Sequence, residues 1–227
     1  MKQHEIAAVL NKKYSSLVAE VVEADMLTLD VLPRHLKSLC FSLRDDPALR
    51  FSVLVDVCGV DYSDYGLSYW RQEGETTSGY SRAVGLEGIR VNDWQKPRYA
   101  SVYHLLSMQF NCRLRIKVYL EPEPEVDSVI DVWPAANWFE RESYDLFGIF
   151  YRGHPDLRRL LTDYGFRGHP FRKDFPLIGE VEMRYDAQQE ACVYEPVSIQ
   201  PRVLVPKVIR QDNRYVSDDD VRGEDHA

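Results

Sequence analysis

The most regular pattern in this chain of 227 residues is an alternation of apolar and polar side chains in two neighbouring segments. Over residues 112–120 every second residue is apolar, and the positions between them include two arginines and a lysine. A period of two is typical of a β-strand that has one face on a core and the other in water. Residues 99–110 alternate similarly, and Asn111 tolerates a tight turn between the two segments. The pattern predicts an antiparallel hairpin with a basic outer face.

The segments before this hairpin predict two helices and two more strands. A short helix is expected around Ile6 and Leu10, and strands over residues 17–22 and 27–31 are expected to flank a tight turn. Pro33 can begin a second helix, because its missing N–H costs nothing at the first helical position. The apolar stripe of this helix recurs at helical spacing, at Leu36, Leu39, Cys40 and Leu43.

A further strand is predicted over residues 51–58. Its alternation places one set of apolar side chains on a single face: Phe51, Val53, Val55 and Val57. Residues 61–98 then interrupt the pattern with serine, glycine, tyrosine and charge, which is typical of a long surface insertion. The order of elements predicts an α+β domain over residues 1–148, with an antiparallel sheet that has helices on one face.

A third helix is predicted from Pro134 to Gly148, because glycine readily adopts the left-handed conformation that ends helices. Helical spacing places Glu142 with the apolar residues of one face, where an unpaired carboxylate is costly. Arg141 and Asp145 are four residues apart and can pair on the flank of the helix.

The character of the chain changes after Gly148. Recurrent prolines exclude long helices from residues 149–227, although the segment stays rich in apolar residues. Alternation around Val181 and again near Cys192 predicts one short hairpin, and an acidic tail follows. So much apolar surface on an extended arm requires a surface to lie on. We therefore predict a long extended C-terminal arm that wraps a partner, and we expect proteases to cleave the isolated chain after about Gly148.

Charge and a short repeat distinguish the first part of this arm. The sequence Arg-Gly-His-Pro occurs at residues 152–155 and again at 167–170, and Gly-x-Pro predicts two similar turns. Residues 149–176 carry six cations and three anions, a net charge of +3, while the whole chain has −8. Such a basic run suits an acidic protein or a phosphate, whereas the acidic remainder argues against general nucleic-acid binding.

Composition excludes several classes of protein. A content of 44% apolar residues is enough for a core and excludes wholesale disorder. No window offers the ~20 apolar residues of a membrane-crossing helix. Residues 1–15 lack the apolar region of a secretory signal, so we expect a cytosolic chain. The four cysteines include no CxxC pair, which argues against the usual zinc and iron–sulfur motifs.

Candidate chemistry is concentrated near the third helix. Glu142, Asp145 and His154 are residue types that form metal sites or acid–base pairs, which allows a free-standing metal-dependent hydrolase. The same carboxylates can instead bind arginines of this chain or of a partner, and a soluble binding adaptor is a third possibility. His104 lies on an apolar strand face and is expected to be a satisfied core residue rather than a ligand.

The sequence around the third helix resembles one known family. The run Glu140-Arg141-Glu142-x-x-Asp145-Leu146-Phe147-Gly148 is similar to the signature of the C subunit of bacterial type I NADH dehydrogenase, the 30 kDa subunit of respiratory complex I. The continuation over residues 153–186 is similar throughout, as are CGVDY at 58–62 and VYEPV at 193–197. The resemblance covers nearly the whole chain, and the insertion is its most individual part.

The resemblance implies a non-redox scaffold subunit in the peripheral arm of a proton-translocating NADH:quinone oxidoreductase. That complex passes electrons from NADH through FMN and Fe–S clusters on partner subunits to quinone. The chain itself is expected to bind no cofactor or metal and to supply no catalytic residue. Its arm is expected to dock on the hydrogenase-like D subunit, with the B and I subunits nearby. The resemblance places the chain on the cytoplasmic face of the bacterial inner membrane, attached through the complex only.

The resemblance also implies a set of signature residues that are expected at the subunit interface. They are Glu140, Arg141, Glu142, Asp145, Phe147, Gly148, His154, Pro155, Arg158, Arg159, Asp163, Gly165, His169, Pro170, Arg172, Lys173, Asp174 and Pro176.

Overall fold

A computed structural model of the chain describes residues 3–23, 25–70, 84–91 and 94–200. The helices are α1 (Gln3–Tyr14), α2 (Leu36–Asp45) and α3 (Ala136–Phe147). The strands are β1 (Val18–Glu23), β2 (Leu27–Val31), β3 (Val53–Asp61), β4 (Leu67–Trp70), β5 (Val84–Arg90), β6 (Tyr99–Ser107), β7 (Cys112–Leu120), β8 (Glu125–Asp127), β9 (Phe150–Arg152), β10 (Val181–Asp186) and β11 (Ala191–Pro196). The predicted acidic tail lies outside the described residues.

Five strands form one sheet in the order β1-β2-β7-β6-β3. β6 and β7 pair antiparallel as predicted, and Asn111 in the turn between them has a positive φ of 45°. The pairs β1–β2 and β3–β6 are also antiparallel, whereas β2 and β7 run parallel. The α+β fold is therefore confirmed, with one parallel pair inside its sheet.

The helices share an apolar core with the sheet. The predicted stripe of α2 is fully buried, and α1 contributes Ile6 and Leu10, each 1% exposed. These residues belong to one cluster that also contains apolar side chains of β2, β3, β6, β7 and α3. Burying one such side chain stabilises the fold by roughly 1.5–3 kcal/mol, so the apolar stripes hold the helices against the sheet.

The face of β3 differs from the prediction. Val53 and Val55 are 37% and 43% exposed, whereas Leu54 between them is buried. The pairing with β6 shifts register between Leu54 and Asp56, which makes Val55 the extra residue of a β-bulge. The prediction was wrong for the two valines because the partner strand fixes a bulge, and local alternation carries no signal of it.

The insertion contains two strands that the sequence analysis did not predict. β4 and β5 pair antiparallel, with Leu67 opposite Arg90. Their hairpin belongs to a unit that includes Gly66–Asp93, distinct from the unit formed by Met1–Tyr65 and Trp94–Ser198. The candidate site described below lies entirely within the latter unit.

Candidate functional site: a helix capped by the C-terminal arm

Helix α3 buries four polar side chains, and two of them, Arg141 and Asp145, were predicted on its flank. Glu142 was predicted to face the apolar side, but it is only half-buried. Trp138 of the same predicted face is 60% exposed and lies under the Arg141 guanidinium. The buried polar residues are instead Glu140, Arg141, Ser143 and Asp145. The predicted face was wrong because polar groups are readily buried when each finds a hydrogen-bond partner, and these partners lie outside the helix.

Asp145 binds the arm and does not pair with Arg141. Its side chain is fully buried, and Arg159 Nη1 donates to Oδ1 over 2.9 Å. Thr162 donates its hydroxyl to Oδ1, and the backbone N–H groups of residues 160–162 donate to Oδ2 at 2.8–3.0 Å. Burial opposes ionisation, but these donors outweigh it and lower the pKa of Asp145 to about 2. The carboxylate is therefore an anion at neutral pH, and the arm folds around it.

Two arginines next to Asp145 bind carbonyl groups of the arm. Arg141 donates to the carbonyls of Arg158 and Arg159 at 3.2 and 3.3 Å. Arg159 donates from Nη2 to the carbonyl of Gly168 at 2.9 Å. Backbone outside helices and sheets still needs hydrogen-bond partners for its N–H and C=O groups. Side chains of α3 and of the arm itself supply them here.

The C-terminal end of α3 is capped by the arm. The last four carbonyls of a helix have no partner within it. Gly148 has a φ of 74° and returns its N–H to Tyr144. The next three carbonyls accept from the arm: Asp145 from His169 Nδ1 at 2.9 Å, Leu146 from the N–H of Phe171 at 3.1 Å, and Phe147 from Arg172 Nε at 2.6 Å. A Cβ at position 148 would collide with the His169 and Arg172 side chains, so the predicted glycine stop also permits the arm's close approach.

Each Arg-Gly-His-Pro turn places a histidine against α3. Gly153 and Gly168 both have positive φ, 79° and 88°, which confirms the prediction of two similar turns. His154 Nε2 lies 3.2 Å from the carbonyl oxygen of Asn137, and His169 makes the corresponding contact with Asp145. Burial lowers the pKa of both histidines. The rings are therefore neutral at pH 7 and each donates one N–H to a helix carbonyl.

A second buried carboxylate holds the arm at the end of β3. Arg98 donates from Nε and Nη2 to the two oxygens of Asp61 at 2.9 and 2.8 Å, and it also binds Asp174 at 2.8 Å. The backbone N–H of Lys173 donates to Asp61 at 2.9 Å. Burial opposes ionisation of Asp61, but Arg98 and the amide donors hold its pKa well below the usual range. We call residues 153–176, which Asp145 and Asp61 fix to the domain, the proximal arm.

Glu140 lies in the opposite environment to Asp145. It is fully buried and accepts hydrogen bonds from Ser128 Oγ at 2.6 Å and from the N–H of Val129 at 2.8 Å. Burial outweighs these bonds and raises the pKa of Glu140 to about 7. Two carboxylates of one helix therefore differ: Asp145 is always charged near neutrality, and Glu140 titrates there.

The other signature residues belong to the proximal arm and are not buried. Arg158 pairs with Asp156 at 2.9 Å, and Asp163 lies 3.5 Å from the Tyr194 hydroxyl. The remaining members are exposed or half-buried: Pro155, Gly165, Pro170, Lys173 and Pro176.

The proposed metal ligands of the alternative hydrolase are not brought together. Asp145 is saturated by donors of the arm, and His154 accepts from the N–H of Asp156 at 3.1 Å in addition to its contact with Asn137. Among the described residues, Glu142, Asp145 and His154 therefore form no metal-ligand cluster.

The distal part of the arm is a hairpin of a different kind. β10 and β11, which we call the distal hairpin, pair with Met183 opposite Tyr194, and the predicted hairpin is confirmed. One face of it carries Val181, Met183, Tyr185 and Tyr194, which are 57–63% exposed. Contiguous apolar side chains on a surface are typical of a protein–protein contact.

A groove lies between the end of β3, the end of α3 and the arm. Its volume is about 720 Å³, and Phe147, Phe171, Phe175 and Leu177 contribute apolar lining, while Arg172 and Lys173 contribute positive charge. Phe171 and Leu177 are exposed. The groove and the distal hairpin both present apolar surface on the arm.

Sequence analysis missed Asp61, Arg98 and Thr162 as holders of the arm. Asp61 stands in the quoted run CGVDY, but nothing local indicated that its partners lie 37 and 112 residues away. The prolines of the arm gave an indirect signal. They prevent long helices, so the remaining backbone N–H groups need acceptors from elsewhere.

Comparison with known proteins gives a consistent result. Residues 29–181, more than half of the chain, match the family described as "Respiratory-chain NADH dehydrogenase, 30 Kd subunit". The chain belongs to this family. The C subunit of NADH-quinone oxidoreductase from Coxiella burnetii (strain Dugway 5J108-111) is 59% identical over 94% of this chain and 95% of the relative. The corresponding subunit of Legionella pneumophila (strain Corby) is 54% identical over 85% and 86%, and that of Halorhodospira halophila is 50% identical over 89% and 88%.

A solved structure shares the fold at low sequence identity. A chain of the membrane-bound sulfane sulfur reductase, described as an archaeal respiratory membrane complex, superposes with a TM-score of 0.54 at 18% identity. The match covers 78% of this chain and 88% of that one.

The resemblance to the 30 kDa subunit family is thus confirmed by the family match and the relatives, and the chain is one subunit of an oxidoreductase complex, respiratory complex I. No helix in the described part of the chain is long and apolar enough to cross a membrane.

Proposed function

We propose that this chain is a non-redox scaffold of the peripheral arm of complex I, and that it docks on the hydrogenase-like D subunit with the B and I subunits nearby. FMN and the Fe–S clusters then belong to partner subunits, and NADH and quinone are substrates of the whole complex. The chain sits on the cytoplasmic face of the membrane and is attached through its partners. The signature residues lie on α3 and in the proximal arm, and they hold this arm, which carries the docking surface.

The exposed apolar face of the distal hairpin is the observation that carries this proposal. Four large side chains, Val181, Met183, Tyr185 and Tyr194, stand on one face of a two-stranded sheet. An isolated hairpin of two strands has marginal stability in water, so such a face gains from a covering surface. The proteins named as relatives of this chain belong to a multi-subunit oxidoreductase, which supplies partners of that kind.

The proximal arm supports the proposal by fixing where the hairpin starts. Asp145 and Asp61 bind the backbone up to Lys173, only eight residues before the start of β10. A short connection from a fixed point restricts the region that the hairpin can reach, which reduces the entropy lost on docking. The signature residues therefore pre-organise the docking surface.

Photo-crosslinking in assembled complex tests the proposal. A photoreactive amino acid replaces Met183 in a tagged chain, and the complex is purified from detergent-solubilised membranes with NADH:quinone reductase activity as the assay. We expect a crosslink to the D subunit from position 183 and none from Gln188 in the exposed hairpin turn, which serves as the matched control. A crosslink from position 183 to an unrelated protein, or a tagged chain that elutes without flavin, iron and activity, contradicts the proposal.

A further inference from the structure

The outer face of the five-stranded sheet carries a second cluster of reactive side chains. Asp56 and Cys58 lie two residues apart on the edge strand β3, so both point to the same face. His104 on β6 was predicted to be a core residue, but it is only half-buried, and it is paired directly with Asp56 in the antiparallel register. One carboxylate oxygen, the thiol sulfur and one ring nitrogen all lie within 4.8 Å of one another. Among the described residues, no hydrogen bond or ion pair joins these three side chains to α3 or to the proximal arm.

The β-bulge in β3 is what brings these groups together. Leu54 pairs with Leu105, so regular pairing would place Val55 opposite His104. The bulge adds one residue, and Asp56 takes that place. Bulges commonly redirect a side chain at a functional site. Here the bulge exchanges an apolar neighbour of the imidazole for a carboxylate.

The cluster is accessible from solvent. The side chains of Asp56 and His104 are 39% and 26% exposed, and Cys58 is half-buried. A small ion can therefore reach all three groups without a rearrangement of the core. The exposure also separates this cluster from the carboxylates Asp61 and Asp145, which are fully buried and saturated by donors.

The geometry excludes a nucleophilic Cys–His–Asp arrangement. In such a triad one ring nitrogen accepts the thiol proton. His104 instead directs Nδ1 toward Asp56, at 3.8 Å, and Nε2 accepts a hydrogen bond from Arg115 Nε at 3.1 Å. Burial, followed by the charge of Asp56, raises the pKa of Cys58 to about 11, so the free thiol is not activated.

The donor set fits a borderline divalent cation. Thiolate, imidazole and carboxylate together are the ligands that Zn²⁺ takes in proteins, and three protein ligands leave one position open. We propose that Asp56, Cys58 and His104 bind a cation of the Zn²⁺ class, and that Arg115 competes with the cation for His104. Binding displaces the thiol proton to solvent and moves the ring proton from Nδ1 to Nε2, so that the charge and protons balance.

The competition follows from the hydrogen bond of Arg115. A ring that binds a metal through Nδ1 carries its proton on Nε2, and Arg115 has only donors to offer that atom. The bond between them is then lost, and the arginine must turn away. Arg115 Nη1 already lies 3.8 Å from Asp25, which offers the guanidinium another partner. Charges that face the site, Arg113 on β7 and Glu142 on α3 among them, stay unchanged in the test below.

Titration of the full chain with Zn²⁺ tests this proposal, with Co²⁺ as a spectroscopic probe of thiolate ligation. We expect one ion per chain, and a loss of affinity of about tenfold or more in C58S and in H104Q. The variant R115M removes the competitor and should bind about tenfold more tightly. C192S removes the exposed thiol of the distal hairpin and serves as the matched control with unchanged affinity.

If C58S and H104Q fold poorly, the R115M variant still tests the proposal, because misfolding does not increase the affinity of a specific site. Circular dichroism of each variant checks its fold. Absence of binding by both the wild type and R115M overturns the proposal. Binding that survives C58S, or that is lost in C192S, also overturns it, because the ion then occupies other residues.

Discussion

The proximal arm and the distal hairpin are neighbours in sequence, but they satisfy the hydrogen bonds of their backbone in opposite ways. The proximal arm gives its N–H groups to Asp145, to Asp61 and to the carbonyl end of α3. The distal hairpin pairs with itself and leaves an apolar face exposed. Large apolar side chains occur in both segments, so their presence alone does not identify which segment requires a partner. The partners of the backbone hydrogen bonds identify the segment that requires a partner.

The replacement Asp145→Ala should have the largest effect on this difference, because it removes the acceptor that holds the proximal arm. It leaves Arg159 and three backbone N–H groups without their acceptor, which we expect to cost about 3–5 kcal/mol of unfolding free energy. The proximal arm should then resemble a free peptide. Urea denaturation of the isolated chain measures the loss. Asp156→Ala removes an exposed carboxylate of the same arm and should change stability by less than about 0.5 kcal/mol. Equal effects of the two replacements would refute the anchoring role of Asp145.

The replacement Glu140→Gln tests whether charge on α3 alone holds the arm. The folded-state pKa of about 7 is above the ordinary 4.5, so the native state binds this proton more tightly than the unfolded state. The stability that Glu140 contributes is complete below pH 4.5 and declines as the pH rises through 7, by up to about 3 kcal/mol. Glutamine removes the titration, so the unfolding free energy of the variant should increase relative to that of the wild type between pH 5 and 8. Parallel pH profiles of the two proteins would show that Glu140 is not the group that titrates. The proximal arm should stay bound in either case.

The replacement Asp61→Asn sharpens the comparison at the other anchor. It weakens the bonds from Arg98 and from the Lys173 amide, at a cost of about 2 kcal/mol. Because the pKa of Asp61 is depressed, its contribution is present above about pH 4 and is lost as the pH falls, so the difference from wild type should shrink in acid. Thermal unfolding at pH 7 and pH 3 measures it. Asp64→Asn, three residues away on the exposed surface, is the control, and a difference that persists unchanged at pH 3 would contradict the assignment.

The replacement Met183→Asp should have the smallest effect on the isolated chain and a large one on assembly. The side chain is exposed, so we expect the unfolding free energy to change by less than about 0.5 kcal/mol. A charge on the apolar face should nevertheless abolish recovery of the chain with flavin and iron from solubilised membranes. Gln188→Asp adds the same charge at the hairpin turn and should assemble normally. Normal assembly of the Met183 variant would mean that the docking surface lies elsewhere on the arm.

Local signals predicted those elements whose cause is local. The hairpin of β6 and β7, the stripe of α2 and the stop at Gly148 follow from alternation, helical spacing and the freedom of glycine. The valines of β3 were misplaced because the bulge depends on β6. Glu142 was misplaced on the apolar face, and Glu140 is the buried glutamate instead, because burial on α3 is decided by partners from Ser128 and the arm rather than by apolar spacing. The bridge from Asp61 through Arg98 to Asp174 joins positions 37 and 76 residues apart, which no local pattern records.

Hydrogen exchange of the isolated full chain tests most directly whether the proximal arm belongs to the folded domain. The sequence predicts that protease-sensitive chain starts at about Gly148, whereas the contacts of the proximal arm move that start beyond Pro176. We predict that the amides of Leu160, Leu161, Thr162, Phe171 and Lys173 are protected from exchange together with α3, without any partner present. Exchange of these five amides at the rate of a free peptide, while α3 stays protected, would contradict it.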